Sequence, residues 1–191
     1  MTWSLRRRTL LTLASSQAGL DRSEPVDLAA ATSEALLAPR PDIERLGLRI
    51  APATWLAPLD GDPLLIERLV ANLIDNAVRH NVAGGDVTIV TCMRDGRAVL
   101  SVANTGPVIP PAEVDRLFQP FQRLNGRRTH HRNGHGLGLS IVRAIASAHG
   151  ATIDAHANHD GGMTITVAFP ASLSHRGALA MSGGGQWSAL A

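Results

Sequence analysis

The chain has no lysine and no tyrosine, one cysteine, three phenylalanines and three tryptophans among 191 residues. Each scarcity excludes something. A lone cysteine, Cys92, rules out a disulfide framework and the repeated Cys spacing of a zinc finger, and it fits a reduced, cytoplasmic setting. With so few aromatics, a core drawn from 45% apolar residues must be built mainly of Leu, Val, Ile and Ala. No apolar run approaches the roughly 20 residues that a membrane-spanning helix requires. Arg6-Arg7-Arg8 followed by Thr9 to Ala14 imitates the start of an export signal, but the run soon reaches Gln17, Asp21 and Arg22. All 18 basic residues are arginine, and the net charge is only +2. A nucleic-acid binder gathers its basic residues on one patch. Here only Arg6-Arg7-Arg8 and Arg127-Arg128 cluster, so nucleic acid is not an expected partner. The Arg bias, with abundant Ala and Gly, reads as the coding habit of a GC-rich genome.

What is present is a regular order of helix and strand signals that suits one domain with short extensions. Leu5, Leu10, Leu11, Leu13 and Ala14 give Ser4 to Ala18 a helical spacing, ended by Gly19. Asp21 to Asp27 is polar, contains Pro25 and reads as a linker. Leu28 to Ala38 should be helical, stopped by Pro39 and Pro41, with short strands at Leu48–Ala51 and Thr54–Ala57. Asp62-Pro63 is an N-cap followed by proline at the first helical position, and the helix it opens ends near His80-Asn81. Val87–Met93 and Ala98–Val102 alternate around Asp95-Gly96 as a hairpin. After a loop, Asn104 to Pro111, comes a short helix at Glu113–Phe118 and a polar loop from Asn125 to Gly136. Leu137–Ala148 is helical, with Gly150 just past its end. A second hairpin pairs Thr152–Ala157 with Met163–Phe169 across Asp160-Gly161-Gly162. The tail from Ser172 has no periodicity and is expected to be disordered.

Two features carry chemistry. Asn72 and Asn76 lie four residues apart on the helix opened by Asp62, so both amides share one face. Neutral oxygens of this kind can hold Mg²⁺, which commonly shares its oxygen ligands with substrate phosphates. About sixty residues later the run Gly134-His135-Gly136-Leu137-Gly138-Leu139-Ser140 precedes a helix, where backbone N–H groups can approach phosphates. Taken alone, an Asn pair is more often solvated or capping, and the two features gain meaning from their order. His130, His131 and His135 have no acidic or Cys companion that would make them a zinc site.

The order of motifs resembles the catalytic, ATP-binding domain of bacterial sensor histidine kinases, within the wider group of gyrase-type and Hsp90-type ATPases. The resemblance runs from about Pro25 to Pro170. Asn72 to His80 is similar to the N box, Asn104-Thr105-Gly106-Pro107-Val108-Ile109-Pro110 to a first glycine box, Leu117 to Arg123 to the F box, and Gly134 to Ser140 to the second glycine box. It implies a two-layer α/β sandwich: a mixed, mostly antiparallel sheet packed on about three helices, with a flexible lid over ATP. By position it implies that Asn76 binds Mg²⁺ with Asn72 assisting, and that Arg79 contacts phosphate through its forked donors. His80 would lie beside the adenine, although a histidine is also what a helix C-terminus favours. Asn104 would accept the adenine amino hydrogen where the family carries Asp; a charge-assisted bond is about twice as strong, so Asn104→Asp is expected to tighten binding. Gly106 would let the backbone approach the base, with Ile109 in the same box. Arg123, and Arg127 or Arg128 beyond it, would reach the γ-phosphate. Gly134, Gly136 and Gly138 would close over the phosphates, with Leu137 and Leu139 anchoring the lid. Val108 stands where a second glycine of the first box is expected, which precludes a cheap positive φ there.

The same resemblance implies a phospho-accepting histidine on a two-helix dimerisation hairpin. The first histidine here is His80, inside the N box. Residues 1–24 are therefore expected to be the end of the second hairpin helix with its linker, 25–171 the ATP-binding domain and 172–191 the tail. The chain, expected to be monomeric, would transfer the γ-phosphoryl group to a histidine supplied by another chain or by an upstream region, and would work with a response regulator. Two rivals stand beside this reading. An ATP hydrolase of the gyrase or Hsp90 kind places a general-base Glu where this chain has Asn72. A nucleotide-binding regulatory module would dock on an intact kinase or a response regulator without catalysis of its own.

Overall fold

The computed structural model describes residues 23–122 and 136–171. The expected helix at Ser4–Ala18, the tail from Ser172, and Arg123, Arg127, Arg128, His130, His131, Gly134 and His135 lie outside the described residues. Within them the elements run β1 (Glu24–Asp27), α1 (Leu28–Ala35), α2 (Arg40–Leu46), β2 (Arg49–Thr54), β3 (Pro58–Gly61), α3 (Pro63–Arg79), β4 (Asp86–Arg94), β5 (Arg97–Asn104), α4 (Val114–Leu117, entered through a 3₁₀ turn at Pro111–Glu113), α5 (Gly138–Ala148), β6 (Thr152–Ala157) and β7 (Met163–Ala168).

Five strands form one sheet in the order β2-β4-β5-β7-β6. Only β2 and β4 pair in parallel; the other three pairings are antiparallel. Alternation decides which face is covered. Val87 and Ile89 of β4, Leu100 and Val102 of β5, and Ile165 and Val167 of β7 are buried in the core. The intervening Thr88, Ser101, Thr164 and Thr166 point the other way. Against the apolar face lie α1, α3 and α5. Helix α3 contributes Ile66, Leu69, Val70, Leu73, Ile74, Ala77 and Val78, and α5 contributes Leu139, Ile141, Val142, Ile145 and Ala146. This is the expected two-layer sandwich, with its mixed, mostly antiparallel sheet.

Several boundaries differ from expectation. The polar stretch read as a linker contains β1, which pairs with β3 as a separate two-stranded ribbon from Glu24↔Gly61 to Asp27↔Pro58. Such pairing depends on partners 31 to 37 residues away and leaves no periodic signal in four residues. Asp27 also caps α1, accepting from Ala29 N–H at 3.2 Å, and accepts from Ala57 N–H at 2.8 Å. Helix α1 ends at Ala35, three residues short of the expected Ala38; Pro39 instead precedes α2, and Pro41 sits in the first turn of α2, where its missing N–H would have no partner anyway. The two short strands fall later in the chain than expected, as β2 and β3. Proline at position 52 is tolerated in β2 because that strand lies at the sheet edge.

Candidate functional site

Helix α3 begins as expected. The Asp62 carboxylate accepts from Leu64 N–H at 2.9 Å and Leu65 N–H at 3.2 Å, and Pro63 occupies the first turn. A cap of this kind is worth about 0.5–2 kcal/mol. The apolar stripe of α3 is buried, which turns Asn72 and Asn76 to its flank, where both are half-buried. The Asn72 amide nitrogen donates to Arg68 O at 2.7 Å, so its orientation is settled and Oδ1 is left to accept. That oxygen faces the start of α5: a Cβ built on Gly138 would lie 3.4 Å from it. The Asn76 amide makes no hydrogen bond among the described residues. Two neutral amide oxygens on one flank, one of them oriented and neither consumed, are a donor set that fits Mg²⁺.

The next turn holds Arg79 and His80. Arg79 Nε donates to Asp75 Oδ1 at 2.6 Å, an i,i+4 pair on the surface of α3, so the guanidinium is aimed along its own helix. His80 is the exposed C-cap residue, and its N–H bonds back to Asn76 O at 3.1 Å. Its carbonyl packs against Gly106, where an added Cβ would come within 2.7 Å of His80 O. The end of α3 and the loop after β5 are thus in direct contact, and Gly106 is required for that contact.

Asn104, at the end of β5, is 7% exposed. Its Nδ2 donates to Thr105 O at 2.7 Å, which again leaves the amide oxygen as the open group. Three residues that sequence reasoning did not place in the site hold this loop. Asn158 Nδ2 donates to Asn104 O at 3.1 Å, and Thr164 Oγ1 donates to Asn158 Oδ1 at 2.8 Å. Gly162 N–H donates to Pro107 O at 2.9 Å. Gly161 and Gly162 have φ of 96° and 81°, and a Cβ on either would collide with the backbone of Gly106 or Asn104. The Asp-Gly-Gly turn between β6 and β7 therefore buttresses the glycine loop after β5. Its turn chemistry was readable; its neighbour was not.

A second bracket joins the same loop to the end of α3. Thr105 Oγ1 donates to Asn81 Oδ1 at 2.7 Å and accepts from Asp86 N–H at 2.8 Å, while Asn81 Nδ2 donates to Asp86 O at 3.0 Å. A Cβ on Gly85 would overlap both Asn81 Oδ1 and Thr105 Oγ1. At the outer edge, Arg49 donates through Nε and Nη2 to the two Asp86 oxygens, each at 2.6 Å. Those hydrogen bonds, first, and the adjacent positive charge hold the Asp86 carboxyl below its ordinary range despite some desolvation, and the carboxylate in turn raises Arg49.

Val108 is exposed and its backbone is not left-handed, so this loop forms without a second glycine. Ile109 is buried with Val114 and Phe118 and anchors the far end of the loop in the core. The Arg143 guanidinium lies 5.0 Å above the Phe118 ring, which ties the F-box segment to α5. The ends of the segment between them also meet. Phe121 N–H donates to Gly136 O at 2.9 Å, and Gly136, at φ 64°, leaves only 3.0–3.2 Å for a Cβ against Gln122 O and the Phe121 backbone. Leu137 packs on the core and Leu139 is buried in it, so the start of α5 is anchored as expected.

A family profile described as histidine kinase-, DNA gyrase B- and HSP90-like ATPase matches residues 61–173. The chain belongs to this ATPase family. The sensor protein CutS of Streptomyces coelicolor is 44% identical over 162 residues, which cover 84% of this chain and 39% of CutS. The chain thus spans about two fifths of the length of that relative. The mycobacterial sensor histidine kinase MprB has a TM-score of 0.67 and 28% identity, covering 78% of this chain and 98% of the MprB chain. Full-length ShkA, solved in complex with AMPPNP, has a TM-score of 0.72 and 25% identity over 86% of this chain and 35% of its own. Residues 61–173 run from the last residue of β3 and hold α3 through β7, so the family's domain contains every element that supplies the site. No helix among the described residues is long and apolar enough to cross a membrane.

Proposed function

We propose that this domain binds Mg·ATP between α3, the loop after β5 and the start of α5, and passes the γ-phosphoryl group to a histidine of a separate dimerisation domain. The observation that carries this is the arrangement on the flank of α3. Asn72 Oδ1, left open by its bond to Arg68 O, faces the N-terminus of α5 at Gly138, with Asn76 one turn further along. At the C-terminal end of that helix, beside His80, Asn104 and Gly106 of the loop after β5 present an acceptor oxygen and a bare backbone edge. This order of groups supports a nucleotide with its base toward Asn104 and its phosphates toward Asn76. When bound, Mg²⁺ supplies neutralisation of phosphate charge. Asn76 and Asn72 hold it, Asn104 accepts from the base, and the α5 N-terminus favours anionic oxygens. Arg79 offers the phosphates its Nη groups, while its Nε donates to Asp75. The residues we assign to nucleotide are therefore Asn72, Asn76, Asn104, Gly106, Gly136, Leu137, Gly138 and Leu139. His80 and Ile109 support them, Arg79 is recruited, and Arg123 and Gly134 join from outside the described residues.

In the transfer, the bond from the γ-phosphorus to the β-phosphate oxygen breaks as a bond to the acceptor imidazole nitrogen forms, and ADP leaves. Such chemistry is governed by positioning and charge stabilisation. Asn72 replaces the carboxylate that water activation requires, which disfavours hydrolysis. The setting we propose is the cytoplasm, with a response regulator as the downstream partner. The test is incubation of the purified chain with γ-labelled ATP, with and without a dimerisation domain bearing an accessible histidine. We expect no label on this chain, acid-labile label on the added domain, and loss of that label and of most Mg·ADP affinity in Asn76→Ala. Acid-labile label on this chain alone overturns the separated-donor reading. No label on either protein, with binding intact, makes it a nucleotide-binding regulatory module.

A further inference from the structure

Helix α5 touches α3 at both of its own ends. At one end Gly138, the first residue of α5, lies beside Asn72 Oδ1. At the other, His149, the C-cap of α5, meets Asp62, the N-cap of α3. The helices are therefore antiparallel, and the two contacts are separated by ten residues along α3 and eleven along α5, about 15 and 16.5 Å at 1.5 Å per residue. Matched spans of this kind make one contact a gauge for the other.

His149 is 6% exposed and both ring nitrogens are used. Nδ1 lies 2.8 Å from Ile145 O, an acceptor, so Nδ1 carries the hydrogen and Nε2 accepts from Asp62 N–H at 3.1 Å. The ring stands edge-on to Phe169, with centroids 6.1 Å apart and planes at 85°. On its other side Gly61 leaves no room: a Cβ there would lie 2.8 Å from Cδ2 and 2.9 Å from Nε2. A side chain this confined transmits position. We infer that His149 is a positioning residue for nucleotide binding, setting the axial register of α5 on α3 and so the distance from the α5 N-terminus to Asn72 and Asn76. The inference rests on the proposed nucleotide site. It assigns a role at the phosphate end to a residue eleven positions from the glycine run.

The register argument makes an asymmetric claim. The base end is held by the loop after β5 and by the β6–β7 turn, whereas the His149 hydrogen bonds and ring contact go to Asp62, Ile145 and Phe169, so a loosened α5 should cost phosphate contacts and spare base contacts. Two titrations of the full chain separate them: Mg·ADP by calorimetry and adenosine by NMR. His149→Phe keeps an aromatic ring at this position and removes both hydrogen bonds. We expect it to weaken Mg·ADP binding about 10- to 100-fold, the usual effect of removing a group that orients ligands from behind, with adenosine affinity changed less than about twofold. His149→Gln places an amide oxygen near the Nε2 position and should restore most Mg·ADP affinity. His149→Asn, too short to reach Asp62, should not. Should His149→Phe fail to fold by circular dichroism, the Gln and Asn variants decide the matter by the same comparison. Equal Mg·ADP affinity in His149→Phe and the parent overturns the inference and leaves the nucleotide site standing. Equal losses for adenosine and Mg·ADP, or a Gln variant no better than Asn, reduce His149 to a structural residue and overturn it too. A parent chain that binds no Mg·ADP removes the nucleotide site and this role together.

Discussion

The two ends of the α3 flank are built on opposite terms. At the end proposed for the base, the loop after β5 is braced from three sides, by Asn158 and Gly162, by the Asn81–Thr105 bond, and by the His80 carbonyl against Gly106. Its glycines sit where no Cβ fits. At the end proposed for the phosphates, the Asn76 amide has no hydrogen bond among the described residues, Asn72 is half-committed, and Gly138 would accept a Cβ at ordinary contact distance. One end is preorganised by hydrogen bonds that the folded protein already makes. The other keeps polar groups open for bonds that only a ligand would complete. The contrast is physically reasonable: a base is a fixed planar shape that repays rigidity, whereas phosphate oxygens and a cation need unsatisfied donors and acceptors.

The largest effect is expected from breaking the rigid end. Gly162→Ala forces a methyl group into the Asn104 carbonyl at a φ of 81°. Strain of this kind costs about 1–3 kcal/mol before the clash is counted, and a chain of this size loses about 2–4 °C of Tm per kcal/mol. We expect Tm to fall by at least several degrees and adenosine affinity to fall with it. A variant with unaltered Tm would show that the β6–β7 turn does not brace the loop.

A smaller effect sharpens the comparison at Asn104. The family's Asp suggests that Asn104→Asp tightens adenine binding, but the structure adds an opposing effect. The Asp variant loses the Nδ2 bond to Thr105 O and sets a carboxylate oxygen near that carbonyl. Gain and loss are each about 1 kcal/mol, so Asn104→Asp should change ADP affinity less than about threefold. Asn104→Ala, which only loses, should weaken it about two- to tenfold by the same scale. A calorimetric comparison of the two decides the matter, and a marked gain in the Asp variant would show that the Thr105 bond is dispensable.

The smallest effect lies at the outer edge. Because Arg49 lowers the Asp86 pKa in the folded state, the pair contributes stability above the ordinary Asp range, and that contribution is lost as pH falls through the lowered value. Both groups are exposed, so the contribution is small. Thermal melts at neutral pH and near pH 3 should show slightly less acid loss for Asp86→Asn than for the parent. A large difference would mean that the side chain also supports the Asn81–Thr105 bracket.

The local parts of this protein were legible from sequence. An i,i+4 spacing puts Asn72 and Asn76 on one face whatever the rest of the fold does, Asp62-Pro63 starts a helix wherever it stands, and alternation marks β4, β5 and β7. The four ordered motifs carried the family. What was not legible depends on partners distant in the chain. Four residues from Glu24 become a strand only because Pro58–Gly61 lies beside them. The pairing of Arg79 Nε with Asp75 is an i,i+4 contact that the reading of Arg79 as a phosphate donor did not include. His149 drew no notice as the last turn of a helix, since its meaning lies in an N–H eighty-seven positions earlier.

The sequence by itself determined the elements, the faces they bury and the kinds of group offered to a ligand, because these follow from periodicity and side-chain chemistry within a few residues. Only the tertiary structure decided which oxygen of each amide remains open, which glycines have no room to change, and where α5 stops along α3. Those outcomes are set by contacts between segments far apart in the chain, and the free energy of each depends on the exclusion of water by neighbours that no local pattern encodes.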